Sequence, residues 1–541
     1  MKTLRALFTK YKYLCFVLAF SLFAVFDLHN YGIPPTHDGE YNVMRAAQFY
    51  KVLSEGILWP RWAPDFNNGF GIPIFSYIYP LPAYVSAFLH FLGVGFIDGF
   101  KLEMALATIL GAIFFYLWAK KYWGMLGGLV SSVFYTFSPH HFVDIYVRGS
   151  AGEVLSLGIF PGLLWSYDAF RETREYKFFV LSCLFLCFLV LAHNILALMF
   201  FIFFLFYAVF VIVGSKNKKW EIEKLALLIF IALGLSAPFW LPALLETSFV
   251  QGLRIYDLTQ SFPEIYQLII PSWGYGLSPN DLANPMSVQI GLANLLAILM
   301  SLVFFFYLKN KGLILFFIIS FLIVLFLITP YSIWVWKNLP LFSYFQFPWR
   351  LLSLEVLIVA FLAGSVASTN KLLAGLLIII AFSSTFFYAK AATYYPRNDK
   401  YYLSRSNFID GTNSPGDVFN TAWLPKIPKK TKNKIQIISG AGSVNLIKIR
   451  STRYLFYSFL KKDSRIRVNT AYFPGWGIWV DGQVGSIQND HGLIAVSLPA
   501  GKHLVSLSFG STILQKLSYL YFLSSILLLV LLAQKADIIK R

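Results

Sequence analysis

The sequence predicts a polytopic α-helical membrane protein with a β-rich domain outside the bilayer. Hydrophobic residues make up 57% of the 541 residues and charged residues only 13%, whereas soluble domains contain about 45–50% apolar residues. Long apolar runs recur through residues 1–389, and shorter, alternating runs replace them in residues 390–512. These observations predict about 12–14 membrane spans and exclude a soluble globular fold.

Apolar runs long enough to cross a hydrocarbon core occur thirteen times, since a core about 30 Å thick needs roughly 20 residues of helix. The predicted spans are 12–28, 76–94, 102–119, 124–138, 154–170, 177–192, 194–214, 224–242, 287–307, 312–329, 350–368, 371–389 and 513–533. Pro80 and Pro82 interrupt the start of the second run. That run is therefore the first candidate for a helix that enters the membrane without crossing it.

Lysine and arginine in the short loops predict the orientation of the chain. Basic residues precede the first run and end the chain, which places both termini in the cytoplasm of a multi-pass cell-membrane protein. Two cytoplasmic termini require an even number of crossings, so one of the thirteen runs must be misread, or a span must be missed or merged. The segments expected on the outer side are 29–75, 139–153, 243–286, 330–349 and 390–512.

The domain organisation follows from these spans. Residues 1–389 form the transmembrane domain with its outer loops, 390–512 an extracytoplasmic, β-sandwich-like domain, and 513–541 the last helix with a cytoplasmic tail. Alternation in residues 505–509 and the turn pair Asp481-Gly482 indicate the β-structure. This domain carries 17 Lys and Arg against 6 Asp and Glu. The excess favours anionic headgroups or a lipid-linked phosphate, or it belongs to an ordinary solvated surface.

The most informative polar motif is His37-Asp38-Gly39-Glu40, just after the first span. Residues 40–54 have the spacing of an amphipathic helix, which puts Asp38 near the N-cap. An Asp at that position stabilises a helix by about 1 kcal/mol and needs no catalytic role. The functional interpretation is that Asp38 acts as a general base at the water–lipid boundary, with Glu40 orienting it or sharing a metal ion.

Further candidates lie near the ends of other predicted spans. The segment 139–153 contains His140, His141, Asp144, Arg148 and Glu153, and the guanidinium of Arg148 could bind a phosphate through two hydrogen bonds. The remaining candidate ligands are His37, His193, Arg350 and Arg61. Arg45 is an alternative to Arg61 as a phosphate ligand. His193 is also typical of a packed helix end. For Arg350, an ion pair with Glu355 inside the bundle is the competing interpretation.

The stretch 471–482, AYFPGWGIWVDG, has aromatic residues that could stack on sugar rings or fill the core of the β-domain; the core is favoured. Glycine-rich phosphate loops are missing from the sequence, so ATP-driven transport has no support. Nothing in the pattern indicates a nucleic-acid partner.

Several of these motifs together resemble a known family. The runs HDGEYNVMRAAQFYKVLSEGILWPRWAPDFNNGFGIPIFSYIYPLPAY (37–84), YVRGSAGE (146–153), LAHN (191–194), QFPWR (346–350) and the region 472–503 resemble prokaryotic membrane proteins labelled 6-pyruvoyl-tetrahydropterin synthase-related. These are similar in turn to YfhO-like and polyprenyl-phosphate-sugar-dependent glycosyltransferases of the GT-C fold. None of the eight histidines forms the H-x-H pair of a pterin synthase, so that activity is set aside.

The resemblance implies a GT-C-like membrane fold in which an acidic residue of the first outer loop is the catalytic base. That role falls on Asp38, with Glu40 beside it. Asp38-Gly39-Glu40 is not a D-x-D motif, so dependence on a divalent cation (Mg²⁺ or Mn²⁺) stays open, and Asp38 and Glu40 are the only ligands offered. Arg148 would neutralise the leaving phosphate.

The leading functional hypothesis is a cell-envelope glycosyltransferase. It would move a sugar from a polyprenyl-phosphate carrier in the bilayer to a glycan, lipid or protein at the outer membrane face. Two alternatives stay open: a transporter or flippase of lipid-linked sugars, and a non-catalytic cell-envelope assembly protein. Transporters place ionisable residues near mid-membrane, often between inverted repeats, whereas the candidates here cluster toward one face.

Overall fold

A computed structural model describes residues 2–252, 262–281, 283–403 and 418–540, with side chains described between residues 11 and 534. Helices dominate as far as residue 403, and strands dominate between residues 435 and 509. The helices are α1 (Lys2–Val25), α2 (Gly39–Ser54), α3 (Leu81–Phe91), α4 (Phe96–Thr136), α5 (Pro139–Phe142), α6 (Ala151–Thr173), α7 (Tyr176–Ala192), α8 (Asn194–Val213), α9 (Lys218–Leu245), α10 (Ile265–Ile269), α11 (Leu292–Val303), α12 (Lys311–Ile328), α13 (Ile333–Asn338), α14 (Pro340–Ser343), α15 (Leu352–Ala367), α16 (Lys371–Thr385), α17 (Asp399–Leu403) and α18 (Ile513–Lys540).

Every predicted span coincides with a helix, and the polytopic helical class is confirmed. Within the described residues, eight helices are long and apolar enough to cross a membrane: α1, α4, α8, α9, α12, α15, α16 and α18. Helix α3 has only 11 residues, which at 1.5 Å per residue is about 16 Å. It is thus shorter than a bilayer core, as the prolines near its start suggest.

Helix α4 holds two of the predicted spans, folded back on each other. Gly124 interrupts it with φ +71°, a conformation that glycine adopts without steric cost. Beyond this point the Ser132 hydroxyl donates to Ala112 O at 2.8 Å, and the Tyr135 ring stacks on Phe115 at 4.5 Å. The two halves are therefore antiparallel, as two separate spans require.

Helix α15 occupies the centre of the bundle, with every residue from Leu352 to Ala367 buried. A Cβ added to Gly127 of α4 would lie 2.8 Å from Gly364 O of α15. Glycines at the contact let the two backbones approach closely, which is typical of membrane helix pairs. The first turn of α15 is at the opposite end of the helix from Gly364 and lies among the helix ends that form the site described below.

The β-domain is one curled antiparallel sheet. Its strands are β1 (Ile435–Arg450), β2 (Arg453–Ala471), β3 (Trp476–Val480), β4 (Gln483–Val484), β5 (Gln488–Asp490), β6 (Leu493–Leu498) and β7 (Gly501–Phe509). The order is β4-β3-β7-β2-β6-β5, and β1 pairs with β2. Strand β2 pairs along one edge with β1 and along the other with β7 and then β6. The predicted β-rich region is confirmed, and a single continuous sheet forms it.

The sheet packs directly on the membrane domain. Trp62 and Phe70, from the segment after α2, belong to the core of the sheet, and the Trp62 ring meets Trp476 edge-on at 5.6 Å. Ala471 N donates to Phe70 O at 2.8 Å. Phe473 and Trp476 thus fill the core, whereas Trp479 keeps 37% of its surface exposed. The core interpretation of the 471–482 motif holds for its two inner aromatic residues.

Candidate functional site

The motif at residues 37–40 lies against the connection between α5 and α6. His37 N donates to Val147 O at 3.1 Å, and Asp38 N donates to Arg148 O at 2.8 Å. The Thr36 hydroxyl accepts a hydrogen bond from Gly39 N at 3.2 Å. Thr36 therefore satisfies one of the free N–H groups at the start of α2, a role normally taken by the N-cap side chain.

Asp38 occupies the N-cap position of α2, but its carboxylate makes no capping hydrogen bond. The alternative in which Asp38 serves only as a helix cap is therefore wrong. The side chain is half-buried, and within the described residues it has no ion-pair partner within 4 Å. It lies within Coulombic range of the guanidinium groups of Arg148 and Arg350. The carboxylate is thus held at a helix N-terminus, where the helix dipole favours negative charge.

Glu40 does not share this environment. Its carboxylate forms an ion pair with Arg397 and accepts a hydrogen bond from the Tyr402 hydroxyl at 2.6 Å. Because Gly39 already begins α2, residues 38 and 40 diverge around the helix. The structure therefore does not place Glu40 beside Asp38 as a second catalytic or metal-binding carboxylate.

A buried charge cluster lies behind Asp38, where the end of α7 and the starts of α6 and α15 meet. Residues Val143–Arg148 form a π-helical turn, a feature frequent at functional sites. Gly149 then turns the chain into α6 with φ +58°. Both Nη atoms of Arg148 donate to the Glu153 carboxylate, at 2.5 and 2.6 Å, and Nη1 also donates to Asp144 at 2.6 Å. This bidentate pair is fully enclosed.

Arg350 completes the cluster from α15. Its Nε donates to Glu153 Oε1 at 3.2 Å, and its Nη1 donates to Gln346 Oε1 at 2.5 Å. The expected pair with Glu355 is wrong, because Glu355 instead accepts a hydrogen bond from Asn294 at 3.2 Å. The guanidinium turns toward Glu153, whereas Glu355 lies farther along α15. Within the described chain, Nη2 of Arg350 has no hydrogen-bond partner.

His193 also faces this cluster, as the expected role near substrate requires, but it has a structural task as well. Its Nε2 is 3.6 Å from Glu153, and its Nδ1 accepts the hydrogen bond of Leu196 N, so it caps α8. The ring packs on Tyr79 at 4.6 Å. The interpretation of His193 as a packed helix-end residue is confirmed.

Two aromatic contributions to the site escaped the sequence reasoning. The ring of Trp349 lies 4.8 Å from the Arg148 guanidinium and 5.8 Å from that of Arg350, so it holds both cations by cation–π attraction. The second is the ring of Tyr79, which packs on His193. The adjacency of Trp349 and Arg350 in QFPWR was the available signal, but it could not show that Arg148 is stacked on the same ring.

Arg61 lies elsewhere. It is buried with its Nη2 donating to Pro238 O at 3.0 Å, and it also donates to the hydroxyl of Tyr519. The guanidinium thus ties the segment after α2 to α9 and α18. The structure does not bring Arg61 to the cluster, and its expected contact with a phosphate has no geometric support.

Burial sets the charge state of the groups around Asp38. It lowers the pKa of His37, with the positive charge of Arg148 acting in the same direction and a hydrogen bond to Tyr275 O opposing it. Burial and the negative charge of Glu153 raise the pKa of Asp144, against the pull of Arg148. Negative charge in the cluster is therefore concentrated on Glu153, which both arginines contact.

No group of three or more His, Cys, Asp or Glu side chains suited to a metal ion occurs among the residues that the structure describes. At the site itself, Asp38 would be a lone carboxylate ligand, because Glu40 is bound to Arg397 and Tyr402. The expected Mg²⁺ or Mn²⁺ at Asp38 and Glu40 therefore stays a prediction.

The helices, the buried ion-pair cluster and the attached sheet define a polytopic membrane protein with a polar site at one end of its bundle. The chain belongs to the family of 6-pyruvoyl-tetrahydropterin synthase related membrane proteins, whose domain model matches residues 75–393. A protein of Lactococcus lactis subsp. cremoris, described as uncharacterized, is 24% identical over 267 residues. That match covers 47% of this chain and 43% of the relative.

Among solved structures, the oligosaccharyltransferase of Archaeoglobus fulgidus, crystallised with zinc and sulfate, aligns with 70% of this chain and 52% of its own. The sequence identity is 13% and the TM-score 0.38. A similarity of this size does not establish a shared fold.

Proposed function

We propose that this protein is an integral-membrane glycosyltransferase that moves a sugar from a polyprenyl-phosphate carrier to an acceptor hydroxyl at the outer membrane face. Asp38 is the general base. The observation that carries the proposal is a half-buried carboxylate at the start of α2 that, within the described residues, makes no capping hydrogen bond and no ion pair. This carboxylate lies within Coulombic range of the buried Arg148 and Arg350.

The reaction fits this geometry. The acceptor hydroxyl gives its proton to the Asp38 carboxylate as its oxygen forms a bond with the anomeric carbon. The bond from that carbon to the carrier phosphate breaks, and the electron pair leaves with the phosphate. Asp38 then returns the proton to the phosphate, so the base is regenerated and atoms and charge balance.

Arg350 is the cation proposed to meet the leaving phosphate. Arg148 already donates three hydrogen bonds to Glu153 and Asp144, so much of its charge is neutralised. Arg350 makes only one bond to a carboxylate, and its Nη2 retains hydrogen-bonding capacity. Preorganised donors at developing negative charge provide a large share of catalysis. Arg148 is then a positioning residue, which holds Glu153 where it orients Arg350.

The test uses purified protein in proteoliposomes with radiolabelled polyprenyl-phosphate hexose and a panel of lipid and glycan acceptor extracts. We expect Asp38→Asn to reduce transfer by about 10²–10⁴-fold, the usual contribution of a positioned base. The matched control is Asp98→Asn, which removes an exposed carboxylate from the start of α4 and leaves transfer unchanged. Glu40→Gln tests the neighbouring carboxylate and retains most of the activity.

Full transfer by folded Asp38→Asn protein would exclude Asp38 as the base. Movement of the labelled lipid across the bilayer without formation of a glycosidic bond would support the flippase alternative instead. Arg350→Lys tests phosphate binding separately from proton transfer. It removes the planar set of guanidinium N–H groups, so KM for the polyprenyl-phosphate sugar rises while Asp38 is intact.

A further inference from the structure

The outward face of the sheet carries a recess that the proposed reaction does not use. Its volume is about 550 Å³, and Gly442, Phe459, Lys461 and Lys502 are among its lining residues. That volume lies within the range of about 300–1,000 Å³ typical of ligand sites. The recess spans three neighbouring strands, β1, β2 and β7.

Phe459 is the centre of this arrangement. In the sheet register it lies directly opposite Ser443 of β1 on one side and Lys502 of β7 on the other. Tyr457 and Lys461 lie two residues before and after it, so they share its face. The Phe459 side chain is 41% exposed, so its ring is accessible on the face of the sheet opposite the core.

Gly442 of β1 lies where β1 and β2 approach each other closely beside the recess. A Cβ added at Gly442 would lie 2.2 Å from Phe459 O, so only glycine lets β1 approach β2 at this irregularity of the register. Ser443 of β1 lines the recess, and Asn445 lies opposite Tyr457 in the sheet register.

Two lysines provide the charge. The Lys502 ammonium lies 4.7 Å from the centre of the Tyr457 ring and 5.5 Å from that of Phe459. Neither Lys461 nor Lys502 forms an ion pair within the described part of the chain. The nearest acidic residue along β2 is Asp463, whose Oδ1 accepts the hydrogen bond of Ala500 N at 3.0 Å. Asp463 lies two residues beyond Lys461 and so shares that face, but within the described chain it forms no ion pair with either lysine, and the two ammonium groups leave the recess net positive.

We propose that this recess binds a segment of an anionic glycan, a sugar chain that carries carboxylate or phosphate groups. An exposed ring flanked by hydroxyl and amide groups suits the face of a sugar, and the two ammonium groups suit its acidic substituents. The proposal does not depend on the transfer reaction, and binding is measured without turnover.

The experiment measures binding of fluorescent oligogalacturonate to the full chain in nanodiscs of phosphatidylcholine. We expect saturable binding that is at least about tenfold weaker in Lys461→Gln/Lys502→Gln, since both charge-assisted hydrogen bonds to the acidic groups of the glycan are lost. Phe459→Ser, at an exposed position, weakens binding and keeps both charges. Lys429→Gln/Lys430→Gln is the matched control: it removes two exposed charges of the same domain from outside the recess and leaves affinity unchanged.

Three results would overturn the proposal. The first is absence of binding by the wild-type chain, or equal losses in the two double variants. The second is equally tight binding of polyphosphate with no effect of Phe459→Ser, since that would show attraction by charge alone. The third is binding to vesicles of anionic lipid, weakened by Lys461→Gln/Lys502→Gln, without binding of the oligosaccharide.

Discussion

Replacement of Glu153 by glutamine is the sharpest test of the buried charge cluster. Glu153 Oε2 accepts one hydrogen bond from Arg148, and Oε1 accepts one from Arg148 and one from Arg350. The glutamine amide keeps one acceptor oxygen, but its NH₂ group faces a guanidinium N–H, where no acceptor remains. Two buried cations also lose the carboxylate that both of them contact.

We expect this change to lower the free energy of unfolding by about 3–5 kcal/mol, the cost of leaving a buried ion pair without one partner. Asp144→Asn is the matched comparison. Asp144 Oδ1 accepts one bond from Arg148. Its Oδ2 is buried without a hydrogen-bond partner among the described residues, and His140 Nε2 lies 3.8 Å away. An asparagine can keep the first contact and point its NH₂ at the second position, so the expected cost is about 1 kcal/mol.

The assay is denaturant unfolding of purified protein in detergent, followed by tryptophan fluorescence. The midpoint for Glu153→Gln should fall well below that of Asp144→Asn, which should lie near the wild type. Equal midpoints, or a larger loss for Asp144→Asn, would refute the assignment of Glu153 as the anion on which the cluster depends.

Three further outcomes are expected. Gly149→Ala should destabilise the protein by at least about 1–2 kcal/mol, because φ is +58° and the new Cβ would lie 2.1 Å from Thr36 Oγ1; the unfolding midpoint measures this. Burial lowers the pKa of His37, so the unfolded chain takes up the proton first and stability should fall as pH drops below about 6.5. His37→Gln should show a smaller fall between pH 7.5 and pH 5.5 in apparent Tm. Arg61→Gln should lower Tm, since it breaks the link to Tyr519, and leave KM for a polyprenyl-phosphate hexose unchanged.

The sequence was sufficient for the membrane class and the position of its helices. Hydrophobic length is a local property, since a span must satisfy its backbone hydrogen bonds within itself. Each half of α4 satisfies its own backbone hydrogen bonds. The chain reversal at Gly124 therefore leaves two separate apolar runs in the sequence. The β-domain was also predictable from alternation, but the single sheet was not, because the pairing of β2 with three partners joins residues distant in sequence.

The candidate site was only partly predictable. Composition and position singled out Asp38, Arg148, Glu153 and Arg350, yet their partners depend on which helix ends meet. Sequence proximity favoured Glu355 as the partner of Arg350, and the fold brought Glu153 there instead. A charge buried in a helix bundle pairs with the opposite charge that the tertiary structure places beside it, as Glu153 lies beside Arg350.

Residues 37–40 show the same division between sequence and structure. The sequence by itself determined that carboxylates follow the first span and that a helix begins there. Only the tertiary structure decided that Glu40 pairs with Arg397 while Asp38 lies within Coulombic range of Arg148 and Arg350. The physical reason is that helix formation needs only local hydrogen bonds and apolar spacing, whereas the surroundings of a side chain are set by segments hundreds of residues away.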